Sequence, residues 1–114
     1  MKPEEISILS SLGGHHKAAL VSLVIEVVNA DNEVTGRELG AVNQFLMNIG
    51  IDDHIYELGK RFEFDLALET LALTDKAIKT AAANLLIEIA EADGTVQVAE
   101  QRLLQHVLRV FDLI

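Results

Sequence analysis

Acidic residues recur at matched spacings in this chain of 114 residues, and they are its best candidates for chemistry. They form two trios with the same gaps of five and seven residues: Glu26, Asp31 and Glu38, then Glu88, Asp93 and Glu100. Carboxylate oxygens suit hard cations such as Ca²⁺, Mg²⁺ and Mn²⁺ better than Zn²⁺ or Cu²⁺. Binding of a divalent cation is therefore the first chemistry to consider.

Asp31 and Asp93 carry the strongest part of this signal. Each follows a predicted helix at its C-terminal end, where the helix dipole disfavours a carboxylate. One explanation is a turn-forming side chain that bonds its own backbone. The other is a bound cation, and the sequence leaves both open.

The remaining four acids can also be explained by structural roles. Glu38 can complete a capping box with Thr35 at the start of a helix, and Glu100 can do so with Gln97, although Gln is a poor N-cap. Glu26 and Glu88 belong to polar stripes that include Ser22, Asn84, Asn29 and Glu91. A stripe of this kind predicts either a solvated helix face or buried acids near a cation site.

The trios belong to an internal repeat, since residues 17–52 align without gaps on residues 79–114. Ten of these 36 positions are identical, which is too many to ignore in so short a segment. Each unit reads as an apolar helix, a tight turn and an amphipathic helix. We predict two helical hairpins in pseudo-two-fold packing, so that residues 17–49 superpose on residues 79–111.

Periodicity and caps predict an all-α fold of about seven helices. One Pro, at position 3, and abundant Ala, Leu, Glu and Ile favour helices throughout. The predicted ranges are about 3–12, 15–30, 35–50, 52–59, 65–73, 74–92 and 97–111. The second is apolar on most of its surface, so we expect it at the centre of the fold.

The length and the charge of the chain limit the functions that it can have. The chain suffices for one domain, residues 1–114, and its formal charge of −9 argues against a nucleic-acid partner. It has no Cys, no signal-peptide pattern and no apolar stretch long enough to span a bilayer, which predicts a cytoplasmic protein without direct membrane insertion. The acidic turns lack the spacing of an EF-hand. The sequence has no zinc-binding His pair, nucleophile elbow or phosphate loop, so we expect no enzyme.

At its two acidic turns the chain resembles the TerB-like family, which takes its name from bacterial tellurite-resistance operons. The residues that carry the resemblance are Glu26, 30–35 and Glu38, and then Glu88, 92–96 and Glu100. The family is similar in build, with about seven helices and duplicated hairpins. Asn32 departs from the Gly of the second copy, and Gln97 departs from a capping Ser or Thr, which puts the turn geometry in question more than the acids.

The resemblance implies a divalent-metal site and a role in a tellurite or stress-response system. The implied ligands are Asp31, Glu38, Asp93 and Glu100, with Glu26 and Glu88 in support, and the cofactor would be Ca²⁺, Mg²⁺ or Mn²⁺. It also implies a protein partner, such as other tellurite-resistance components. The alternative is a metal-free interaction module whose acidic surface docks a basic partner. Reduction of tellurite by this chain is not expected, because it has neither thiols nor a dinucleotide motif.

Overall fold

The prediction of an all-α fold is confirmed by the computed structural model, which describes residues 1–30, 36–92 and 96–114, with side chains for all of these except 36–39. Within these ranges the chain forms seven helices and no strand. They are α1 (Pro3–Ser10), α2 (Gly14–Ala30), α3 (Gly36–Asn48), α4 (Asp53–Arg61), α5 (Phe64–Ala72), α6 (Lys76–Glu91) and α7 (Val98–Val110).

Helix α2 is the centre of the fold, as its apolar surface predicted. Every residue from 18 to 24 is buried, and the helix packs against α4, α5, α6 and α7. Ser22, which we had placed on a polar stripe, is only 5% exposed. Its Oγ donates to the carbonyl oxygen of Phe62 at 2.9 Å, so a buried hydroxyl is satisfied and α2 is tied to the end of α4.

Carboxylates cap the starts of α4, α5 and α6. Asp52 and Asp75 each accept a hydrogen bond from the backbone N–H three residues on, at 2.8 and 3.0 Å, which is the bond of an N-cap. The fifth helix differs from prediction by one residue. Glu63 is its N-cap and accepts from the N–H groups of Asp65 and Leu66, so the helix begins at Phe64 instead of Asp65.

The helix bounds recur at the same offset as the sequence repeat, which places position 17 on position 79. Under this offset α3 and α7 match at both ends, and α2 and α6 match at their first residues. Helices α1 and α5 also match at their last residues, although the sequence repeat begins only at Lys17. The repeating helical pattern is therefore three helices long, with α4 between the copies.

Packing between the copies is reciprocal. Helix α1 packs against α6, and its counterpart α5 packs against α2. In the same way α3 packs against α6, while α7 packs against α2, and α2 contacts α6 directly. This exchange of neighbours is the pattern expected of pseudo-two-fold packing. Full superposition of the two hairpins stays a prediction, since residues 31–35 and 93–95 lie outside the described part of the chain.

The core lies between α2 and α6. From α2 it takes Leu20, Leu23, Val24 and Val27, and from α6 it takes Leu85, Leu86 and Ile89, all at most 1% exposed. Among the described residues, none of the helices has both the length and the hydropathy that a membrane span requires.

Candidate functional site

Only some of the predicted metal ligands lie in the part of the chain that the structure describes. Asp31 and Asp93 lie outside the described residues, and so does the side chain of Glu38. Glu26, Glu88 and Glu100 are described. Position 38 is the third residue of α3, as position 100 is of α7, so the repeat keeps these two acids in the same helical register.

Glu100 is a buried carboxylate at the start of α7, with 1% of its surface exposed. Its Oε1 accepts a hydrogen bond from the backbone N–H of Gln97 at 3.2 Å, which is the bond that the capping-box interpretation required. The N-terminal end of a helix favours negative charge, and this compensates part of the cost of burying the carboxylate. Glu100 is therefore a cap, and its burial distinguishes it from an ordinary surface cap.

Glu88 and Glu26 differ in their surroundings although they occupy equivalent positions. Glu88 is partly buried, and its Oε2 lies 2.9 Å from the N-terminal ammonium of Met1. Glu26 is exposed on α2, as the solvated-stripe interpretation predicted. Part of the stripe on α6 contacts α1: one turn before Glu88, the side-chain amide of Asn84 donates to the carboxylate of Glu5, whereas Glu91 is exposed. The two equivalent glutamates therefore have different partners in the structure.

The comparison with protein families matches the chain, over residues 17–113, to the family described as tellurite resistance protein TerB. The chain belongs to the TerB family. The match contains both acidic trios and begins where the sequence repeat begins, at Lys17. No curated protein and no solved structure matches the chain.

In the described part of this TerB domain, no three His, Asp or Glu side chains converge on a point that could hold a metal ion. Three of the four implied ligand side chains lie outside that part. The fourth, Glu100, fits a hard cation by its chemistry, since it places carboxylate oxygens in a buried position seven residues from Asp93. Glu88, an implied supporting ligand, has its Oε2 2.9 Å from the ammonium of Met1 and, like Glu100, therefore has one oxygen already engaged.

A second feature of the TerB domain was not predicted: a groove between the end of α3 and the start of α4. Its volume is about 440 Å³, and we call it the α3–α4 groove. It is lined by Asn43, Leu46, Met47, Ile51, Asp52, Asp53 and Tyr56. The sequence signals that could have indicated it are the adjacent carboxylates of Asp52 and Asp53 and the nearby apolar residue Met47. Because the groove depends on how two helices meet, one helical pattern alone could not reveal it.

Proposed function

We propose that this TerB-family domain is a divalent-metal-binding accessory component of a tellurite or stress-response system, with no enzyme activity of its own. The observation that carries the proposal is that the family match includes both acidic trios. A cytoplasmic location and a protein partner, such as another tellurite-resistance component, complete the proposal.

The proposed ligands are Asp31, Glu38, Asp93 and Glu100. Glu38 and Glu100 occupy the third positions of α3 and α7, each seven residues after the Asp of its own trio. Bound Ca²⁺, Mg²⁺ or Mn²⁺ would supply positive charge to a domain whose formal charge is −9. The residues themselves would fix the starts of these two helices relative to the acidic turns before them.

Thermal melting tests the site through Asp93→Asn, a change that keeps the turn-forming capacity of the side chain and removes its charge. Excess metal should stabilise the natural chain by about 2.7 kcal/mol at 100 times the dissociation constant. For a domain of this size that corresponds to a rise in melting temperature of roughly 4–8 °C for each kcal/mol. The variant should lose much of this rise and melt normally without metal, because it carries one repulsive charge fewer.

Asp53→Asn is the matched control, since it removes the same charge from an exposed aspartate in the first turn of α4. It should keep the full response to Ca²⁺, Mg²⁺ or Mn²⁺, and a chelator should reverse that response. Equal metal responses from the natural chain and the Asp93 variant, or none from either, would reject the site.

A second candidate function is the metal-free interaction module. The specific observation in its favour is the α3–α4 groove, which combines exposed apolar side chains with two adjacent carboxylates. The two functions are compatible, and separate variants test them.

A further inference from the structure

We infer that the α3–α4 groove docks a segment of a partner protein that presents a basic side chain beside an apolar one. The groove is lined at its apolar part by Leu46, Met47, Ile51 and Tyr56, and at its polar part by Asn43, Asp52 and Asp53. This inference goes beyond the proposed metal site and does not depend on it.

Met47 provides the first argument, because the fold does not require an apolar residue there. Its side chain is 74% exposed, in the last turn of α3. The equivalent position in α7 carries Arg109, in a helix of the same length that ends in the same kind of turn. A basic residue is also what the C-terminal end of a helix favours. Met is enriched in the centres of interfaces, and its flexible thioether adapts to different partners.

Tyr56 and Ile51 continue the apolar surface from Met47 across to α4. Tyr56 is 36% exposed, and Ile51 is partly buried against the core. Tyr is one of the residue types enriched in binding hot spots, where a large side chain anchors the partner. A pocket of about 440 Å³ is large enough to accept one such apolar anchor.

Charge decides which partner fits. Asp52 and Asp53 flank the groove, and neither is paired with a basic side chain among the described residues. Lys60 lies 5.9 Å from the centre of the Tyr56 ring, but it is paired with Glu57 at 3.5 Å. Because the domain carries −9 in total, it would attract a basic segment from a distance and repel a second copy of itself.

The groove is lined from the second half of α3, whereas Glu38, the proposed ligand on this helix, lies in the first turn. Met47 lies nine residues after Glu38, which at 1.5 Å per residue is a separation of roughly 14 Å along the helix. Variants in the groove therefore leave the acidic trios untouched, and Asp93→Asn leaves the groove untouched. Failure of one proposal can thus be told from failure of the other.

The test uses defined peptides as probes: one built from alternating pairs of Leu and Lys, one with Ser in place of Leu, and one with Glu in place of Lys. Binding to the isotope-labelled chain is followed by NMR. We expect the Leu–Lys peptide alone to shift the signals of Met47, Ile51 and Tyr56 in a saturable way. Met47→Arg should weaken that binding by about tenfold or more, as loss of a central anchor does, whereas Met47→Leu should keep it.

Leu73→Arg is the matched control, because Leu73 is 89% exposed and lies at the end of α5, outside the groove. It adds the same charge as Met47→Arg and should weaken binding by less than about twofold, a small effect typical of a charge outside the interface. Met47→Arg should keep its melting temperature, since Arg109 already occupies the equivalent position. Asp93→Asn should bind the peptide normally.

Four results would overturn the inference. They are equal losses in Met47→Arg and Leu73→Arg, equal binding of the Ser–Lys peptide, preference for the Leu–Glu peptide, and self-association of the chain that Met47→Arg abolishes. The last would make a second copy the occupant of the groove.

Discussion

Gly50 and Asp112, which occupy equivalent positions in the two copies of the repeat, both adopt the left-handed backbone conformation, with φ of 76° and 57°. In each turn the next residue along the chain donates its backbone N–H to the carbonyl oxygen five residues before it, at 2.9 Å. This is the hydrogen bond of a Schellman turn, which satisfies carbonyls at a helix end. Helices α3 and α7 therefore end in the same way, although Gly occupies one turn and Asp the other.

Substitutions at these two positions should have opposite signs. Gly50→Ala places an L side chain in a conformation that costs it roughly 1–2 kcal/mol, so the free energy of unfolding should fall by about that amount. Asp112→Gly removes the same kind of cost and should raise the free energy of unfolding, by up to about 1 kcal/mol because Asp tolerates this conformation better than most residues. Urea unfolding of both variants measures the two changes. A fall with Asp112→Gly would show that its carboxylate contributes more than its backbone conformation costs.

Gly59 should tolerate no side chain, for a reason of packing. A Cβ at this position would lie 2.4 Å from Cβ and Cγ1 of Val21 and 2.9 Å from the carbonyl oxygen of Ala18. Gly59→Ala should therefore force α4 away from α2 and lower the free energy of unfolding by about 1–3 kcal/mol, as overpacking does. Chemical or thermal unfolding measures the loss.

Gly40→Ala is the matched control for this substitution. Gly40 lies within α3, and a Cβ there would meet nothing within 4 Å. The free energy of unfolding of this variant should rise by about 0.5–1 kcal/mol, because Ala loses less backbone entropy than Gly when the helix forms. Similar effects of the two variants would contradict the close approach of α2 and α4.

Two substitutions of Glu100 should distinguish its role as a helix cap from its proposed role as a metal ligand. Gln at this position can still accept a hydrogen bond from the N–H of Gln97, so Glu100→Gln should leave the metal-free stability nearly unchanged. Glu100→Ala should lower the free energy of unfolding by about 1 kcal/mol through loss of the hydrogen bond to Gln97. The cavity that the shorter side chain leaves should lower it further. If Glu100 is a ligand, both variants should lose the metal-induced rise in melting temperature. A full rise in Glu100→Gln would leave this residue a cap only.

Most of the fold could be predicted because its signals are local. Periodicity located the helices, and the sequence offered two adjacent cap candidates each for α4 (Asp52 or Asp53) and α6 (Thr74 or Asp75), of which the structure has Asp52 and Asp75. Helix α5 was misplaced by one residue because Asp65 is a commoner cap type than Glu63. The sequence did not reveal that α1 and α5 occupy equivalent positions in the repeat, because Leu9 and Leu71 are the one identical pair between them.

The surroundings of the acids could be predicted only in part. The hydrogen bond from the N–H of Gln97 to Glu100 could be predicted, because the spacing of three residues is visible in the sequence. The ion pair between Glu88 and the terminal ammonium depends on how α1 crosses α6, which no helical pattern records. The same holds for the α3–α4 groove, because exposure of Met47 follows from the position of its neighbours in space.

The purified chain should not reduce tellurite. Two-electron reduction by a protein needs thiols or a redox cofactor, and this sequence has neither Cys nor a dinucleotide-binding motif. Incubation of tellurite and NADPH with the protein should therefore consume neither faster than buffer does, whether or not Ca²⁺, Mg²⁺ or Mn²⁺ is present. Stoichiometric loss of tellurite that requires the folded protein would show that redox chemistry is present after all.

Paramagnetic broadening by Mn²⁺ tests the proposed metal site most directly, because it reports where in the chain the ion binds. Backbone NMR signals of the natural chain should broaden first around Asp31 and Asp93 and at the starts of α3 and α7, and Ca²⁺ or Mg²⁺ in excess should restore them. Asp93→Asn should lose this pattern, while Asp53→Asn should keep it. Broadening that begins at Asp52 and Asp53, or that spreads evenly over the acidic surface, would contradict a site formed by the duplicated acids.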